Sequence, residues 1–252
     1  MARPRVGVQL IVFGEATQTD LVGSLKACAR AGYEGFEMGV PADDKDLARW
    51  QAGRDAAGIV CTGCHTGTDQ LADPANVKTL IKYAKGMGAE FILCSGGSYE
   101  TVDGYVDAAK LLNKAGAECR AAGLSLCYHN HYWEFKAIDG QVPFHTMIAA
   151  LDPAAAQLCP DVYWVSVGGE TPAEFISCYA DRVPYFHFKD GLGGEQFREF
   201  RELGTGTTGL PAALKAALAT SPAWIVAEQD NSTLPPAESV RISREYLKSL
   251  GL

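Results

Sequence analysis

The sequence predicts a (β/α)8 barrel, and three observations carry that reading. Eight short apolar runs begin near Arg5, Gly35, Gly58, Glu90, Leu124, Ala156, Val183 and Ala223. Their spacing, roughly 25 to 40 residues, is that of a strand-loop-helix unit. Amphipathic stretches of helical period separate them, several closed by a glycine just before the next run. A length of 252 residues suits eight such units closed on themselves.

In chain order, the first run ends at Gln9 and continues as Leu10-Ile11-Val12-Phe13-Gly14. An open doubly wound sheet would want a glycine-rich phosphate loop at that point, and this is not one. Helices are expected over residues 19–31, 44–57, 76–87, 105–122, 171–180, 210–219 and 237–249, with Gly32, Gly58, Gly88 and Gly123 as stops. Phe91-Ile92-Leu93 reads as a strand buried on both faces. No linker or low-complexity segment interrupts the rhythm, so residues 1–252 are expected to form one domain.

Composition narrows the function. Hydrophobic residues make up 47% and charged residues 21%, the balance of a globular protein. The net charge of -8, with Lys and Arg scattered, disfavours a nucleic-acid partner. Nothing approaches the roughly 18 apolar residues of a membrane span. The start, Met1-Ala2-Arg3-Pro4-Arg5, leads into a run too short and interrupted for an export signal, so a cytoplasmic location is expected. The eight cysteines then read as reduced, mostly buried packing residues.

A barrel gathers the C-terminal ends of its strands at one face. The ends supply Gln9, Glu37, His65, Cys94-Ser95, then His129, His131 and Glu134 from the fifth strand, Asp161, His187 with Lys189, and Glu228. Of five histidines, only His145 lies away from such an end. Glu134, Asp161, His187 and Glu228 offer oxygen and imidazole ligands without thiolate, a set that suits one divalent cation. Three carboxylates put Mn first, ahead of Mg, Co or Zn. His129 and His131, two apart, are expected on one side of the strand, one toward the metal and one toward substrate. Lys189 is either a counter-charge to the carboxylates or a binder of a substrate oxygen.

Two motifs are set aside. Cys61-Thr62-Gly63-Cys64-His65 has the spacing of a haem attachment site, but falls where the third strand should end. Leu203-Gly204-Thr205-Gly206-Thr207-Thr208-Gly209 lacks the lysine of a P-loop and does not directly follow a strand. Neither haem nor a nucleotide is expected.

Further words complete the picture: Gly32-Tyr33-Glu34-Gly35-Phe36-Glu37, Tyr128-His129-Asn130-His131 with Glu134-Phe135, Asp161-Val162-Tyr163-Trp164-Val165, Phe186-His187-Phe188-Lys189-Asp190-Gly191 and Glu228-Gln229-Asp230. In this order the sequence resembles the sugar phosphate isomerase/epimerase group of xylose isomerase-like TIM barrels. The resemblance implies a metal held by Asp161, His187 and Glu228, with a fourth ligand from strand five. Tyr128-His129-Asn130-His131 departs from the ketose epimerases, which place a glutamate inside that strand, toward the inosose dehydratase-like branch, so that ligand is His129 or Glu134, with Glu134 taken first. The implied chemistry is proton abstraction beside a carbonyl through a metal-stabilised enediolate. His131 or Glu228 would be the base, with Glu134 and Lys189 as further catalytic candidates. His65, His129, Gln9, Glu37, Trp133 and Trp164 would bind a sugar or polyol. Return of the proton gives isomerisation or epimerisation; loss of a β-hydroxyl or glycosyl group gives a dehydratase or eliminative deglycosylase. A non-catalytic sugar-binding relative and a metal-dependent apurinic endonuclease stand behind these, and a homo-oligomer, dimer or tetramer, is implied.

Overall fold

Eight parallel strands form the frame in a computed structural model that describes residues 3–252. Met1 and Ala2, the first residues of the segment read as carrying no export signal, lie outside the described residues. The strands are β1 (Arg5–Gln9), β2 (Gly35–Gly39), β3 (Val60–Gly67), β4 (Phe91–Ser95), β5 (Ser125–His129), β6 (Ala156–Cys159), β7 (Tyr185–Phe188) and β8 (Trp224–Ala227). Each pairs with its sequence neighbour from β1 to β6, and β8 lies between β1 and β7. The ring closes between β6 and β7 through little more than one bridge, Asp161 to His187, with the His187 N–H donating to the Pro160 carbonyl at 3.0 Å.

The long helices are α1 (Leu21–Ala31), α2 (Asp44–Ala57), α3 (Pro74–Met87), α4 (Val102–Ala121), α5 (Pro143–Ala150), α6 (Pro172–Cys178), α7 (Leu210–Ala219) and α8 (Pro236–Ser249). The side chains of Asp20, Asp43, Asp73 and Thr101 accept from first-turn amides and start α1 to α4. Gly32, Gly58 and Gly88 adopt left-handed conformations and stop the first three. Helix α5 was not among the expected helices; it buries Phe144, Met147 and Ile148 on one face. None of the helices among the described residues is long and apolar enough to cross a membrane.

Each strand shows one face to the helices and one to the barrel axis. The axial face is filled by Phe91, Leu93, Cys127, Cys159, Tyr185, Trp224 and Val226, a cluster separate from the helix-facing core. The first three strands contribute glycine to this interior. A Cβ at Gly35 would press on Trp224 at 2.9 Å and one at Gly7 on Val226 at 3.1 Å, while one at Gly63 would run into Leu93. Large residues on one side of the barrel therefore demand glycine on the other. Two positions beyond these interior residues, at the C-terminal rim, stand Gln9, Glu37, His65, Ser95, His129, Asp161, His187 and Glu228. Strand periodicity alone places this polar ring over an apolar plug.

Seven of the eight cysteines are buried, Cys178 being exposed. The run Leu203 to Gly209 is a loop, held by Asp190. Gly204 and Gly206 N–H donate to Asp190 Oδ2 at 3.0 Å each, and the Thr208 N–H and hydroxyl donate to Oδ1 at 3.2 and 2.7 Å. A carboxylate of the chain itself thus sits where a phosphate would in a nucleotide loop.

Candidate metal centre at the barrel mouth

Four atoms converge at the rim: His129 Nε2, Asp161 Oδ2, His187 Nδ1 and Glu228 Oε2. The four residues present ligand atoms within 4.8 Å of one another, and all four side chains are buried. His129 Nε2 lies 3.5 Å from Asp161 Oδ2 and 3.4 Å from Glu228 Oε2, and His187 Nδ1 is in close contact with the same Glu228 oxygen. None of the four atoms has a hydrogen-bond partner. Buried polar atoms are nearly always satisfied, so four unsatisfied ones facing a common point ask for a cation. Two imidazole nitrogens and two carboxylate oxygens suit a divalent metal ion.

The rest of each side chain is anchored. Asp161 uses Oδ1 to accept from Tyr163 and Trp164 N–H, at 2.9 and 3.0 Å, and so starts the short helix Val162–Val167. His187 Nε2 lies 2.6 Å from Glu37 Oε2, and His129 Nδ1 lies 3.1 Å from the Ser95 hydroxyl. Lys189 is buried with its ammonium 2.8 Å from Asp230 and 3.5 Å from Glu228 Oε1, between the Trp164 and Phe200 rings. Such contacts describe a counter-charge. They leave no exposed ammonium for a substrate oxygen.

The electrostatics match a site that demands positive charge. Burial would lower the His187 imidazole, but Cys159, Glu37 and Glu228 beside it raise it well above the ordinary range. Burial would raise Glu228, but His187 and Lys189 hold it well below. Burial would also raise Glu37, yet its histidine partners hold it down at about 2.

Several expected site residues stand elsewhere. Glu134 does not join the cluster: its Oε1 accepts from the Tyr128 hydroxyl at 2.7 Å and its Oε2 from the His131 N–H at 2.9 Å. Strand β5 ends at His129, the chain turns through the 3-10 segment Trp133–Phe135, and the Glu134 carboxylate folds back on its own strand. His129 supplies the fourth converging atom instead. Glu37 is buried, and its carboxylate meets His65, Tyr185 and His187 rather than the open mouth. His65 is tied to Glu37 and Ser95, at 2.8 and 2.7 Å. Gln9 accepts from the Ile11 N–H and caps the turn Leu10–Phe13. His131 stacks on Trp133, with ring centroids 4.0 Å apart, and its centroid lies 5.9 Å from that of Trp164. Its Nδ1 and both indole nitrogens are buried without partners.

A model of the xylose isomerase-like TIM barrel family matches residues 25–250. The chain belongs to that family. A sugar phosphate isomerase/epimerase from Parabacteroides distasonis ATCC 8503 superposes with a TM-score of 0.84 at 21% identity, covering 99% of this chain and 95% of the other. The IOLI protein, crystallised with a bound zinc atom, superposes with a TM-score of 0.78 at 11% identity, covering 98% and 97%. At these identities the superpositions show the shared fold. An inosose dehydratase from Geobacillus kaustophilus is 26% identical over 157 residues, 55% of this chain and 50% of that protein, so the chain spans about half the length of this curated relative.

Within this xylose isomerase-like barrel, sequence reasoning gave no role to Ser95, Tyr185, Asn130 or Asp230. Asn130 accepts from the Asp161 N–H at 3.1 Å, joining the ends of β5 and β6. A signal for Ser95 was present: it stands two after the interior residue Leu93, the parity His129 has to Cys127.

Proposed function

We propose that the chain is a divalent-metal-dependent enzyme that isomerises or epimerises a keto-sugar or keto-inositol by moving a proton next to a carbonyl. The observation that carries this is the convergence of four partnerless ligand atoms over the apolar plug. His129, Asp161, His187 and Glu228 would hold the ion. With two imidazoles in place of a third carboxylate, the case for Mg weakens, and Mn, Co and Zn remain. The ion supplies Lewis acidity toward a carbonyl and its neighbouring hydroxyl, easing loss of the adjacent proton.

The chain's own groups supply the rest. Glu228 has one oxygen committed to the cluster and the other facing Lys189, so His131, whose Nδ1 has no hydrogen-bond partner and whose imidazole is kept neutral by burial, is the better candidate to take and return the proton. The partly exposed indole of Trp133, stacked on His131, suits the apolar face of a sugar ring. Names among the similar proteins support the class, an isomerase/epimerase in one case and bound zinc in another. A dehydratase on the same substrates is the second reading, favoured by the inosose dehydratase match.

Metal analysis followed by incubation with keto-sugars in deuterated water tests both. Deuterium entering at the carbon beside the carbonyl, with the epimer or isomer formed, is expected. Loss of water would select the dehydratase, and bound metal with neither outcome would sink the proposal. His131→Asn is expected to slow exchange by roughly 10²-fold or more while leaving metal content unchanged.

A further inference from the structure

The two histidines of the cluster present different ring nitrogens to the common point, Nε2 from His129 and Nδ1 from His187. Each must therefore carry its proton on the other nitrogen to ligate as a neutral ring. The hydrogen bonds behind them account for this difference from one side chain. A carboxylate only accepts, so His187 Nε2, 2.6 Å from Glu37 Oε2, carries a proton, as does His65 Nδ1, 2.8 Å from Glu37 Oε1. A His65 ring that carries its one proton on Nδ1 has a free Nε2, which accepts a hydrogen bond from the Ser95 hydroxyl at 2.7 Å. Having donated, Ser95 Oγ is left to accept from His129 Nδ1 at 3.1 Å, which leaves His129 Nε2 bare.

We propose that Glu37, His65 and Ser95 form a positioning relay in which one buried carboxylate sets both imidazoles of the cluster, in opposite tautomers, with their free nitrogens toward the ion. The relay crosses β2, β3, β4 and β5 at the rim and touches β7. It rests on the ion-binding reading above and gives His65 and Glu37 a task other than sugar contact. Partners behind a metal-bound histidine commonly fix its tautomer and aim, and their loss costs about 10- to 100-fold in metal affinity.

The test uses full-length protein stripped of metal and titrated with Co²⁺, followed by visible absorption. Ser95→Ala and His65→Gln are each expected to bind Co²⁺ about 10- to 100-fold more weakly than wild type, with an altered band pattern. Ser95→Thr, which restores a hydroxyl, should stay within a few-fold, and it keeps the comparison valid if the alanine variant folds poorly. In zinc-loaded protein labelled with ¹⁵N-histidine, NMR should find the proton on Nδ1 in His65 and His129 and on Nε2 in His187. Matching tautomers in His129 and His187, or unchanged Co²⁺ affinity in Ser95→Ala and His65→Gln, would overturn the relay alone. A wild-type protein that takes up neither ion would overturn the ion-binding reading, and the relay with it.

Discussion

Glu134 is fully buried, and burial pushes its carboxyl from an ordinary 4.5 up to about 7, although the Tyr128 hydroxyl and the His131 N–H both donate to it. An acid raised in the folded state keeps a proton that the unfolded chain has already lost. Between those two values stability therefore falls as pH rises, and the loss is complete above the folded value. The whole span is worth about 3 kcal/mol at most. Glu134→Gln removes the charge while keeping a fit: its carbonyl can accept from His131, and its amide can donate to the Tyr128 oxygen. In metal-free protein, urea unfolding should show wild type losing up to about 3 kcal/mol relative to Glu134→Gln between pH 5 and pH 8. Parallel pH dependences would show that no buried acid titrates at this position. The same residue explains a misreading of the site. Glu134 follows His131 closely in sequence, but beyond β5 the chain leaves the two-residue period, and nearness along the chain stops reporting direction. Parity inside the strands was the better guide: Cys127 to His129, Cys159 to Asp161, Tyr185 to His187 and Val226 to Glu228 are the same step.

The loop from Leu203 to Gly209 shows how an element without periodicity is fixed. Asp190 holds it through donors on Gly204, Gly206 and Thr208, and a Cβ on Gly206 would run into that carboxylate and the Gly191 carbonyl. Asp190→Asn turns one acceptor into a donor facing backbone N–H groups, a local cost of about 2 kcal/mol. Amide exchange across residues 203–209 should then speed up by roughly 30-fold while β1 to β8 keep their protection. Unchanged exchange in that loop would mean that Asp190 does not hold it. The eight strands were legible because burial on both faces writes them as apolar runs, and α1 to α4 because caps and glycine stops bracket them. Helix α5 is preceded by Val142 and followed by Leu151, so neither a capping residue nor a closing glycine marks its ends. The ribbon pairing Asp190–Gly191 with Phe200–Arg201 has two residues in each strand and exists because long-range contacts hold it. No local pattern announces it.

Across the barrel, the candidate centre lies on the weakest join. Strands β1 to β6 and β8 are linked to their neighbours by runs of paired residues, whereas β6 and β7 meet through the Asp161 to His187 bridge. Those two residues face each other across the seam and both belong to the converging set, with His129 on β5 and Glu228 after β8 flanking them. An ion bound by all four would tie the ends of β5, β6, β7 and β8 together. It would bind the folded chain and not the unfolded one, and so stabilise it by mass action. At a hundred times its dissociation constant an ion adds about 2.7 kcal/mol, which for a chain of this length means a melting temperature higher by roughly 5 to 10 °C. Asp161→Asn is the control. Its remaining oxygen can still accept from Tyr163 and Trp164, so the short helix start survives, while an amide replaces the oxygen aimed at the common point. Wild type should melt lower with chelator than with Co²⁺ or Zn²⁺, and Asp161→Asn should melt at one temperature under both conditions. An equal rise in both proteins would place the ion elsewhere and leave the seam to the bridge alone.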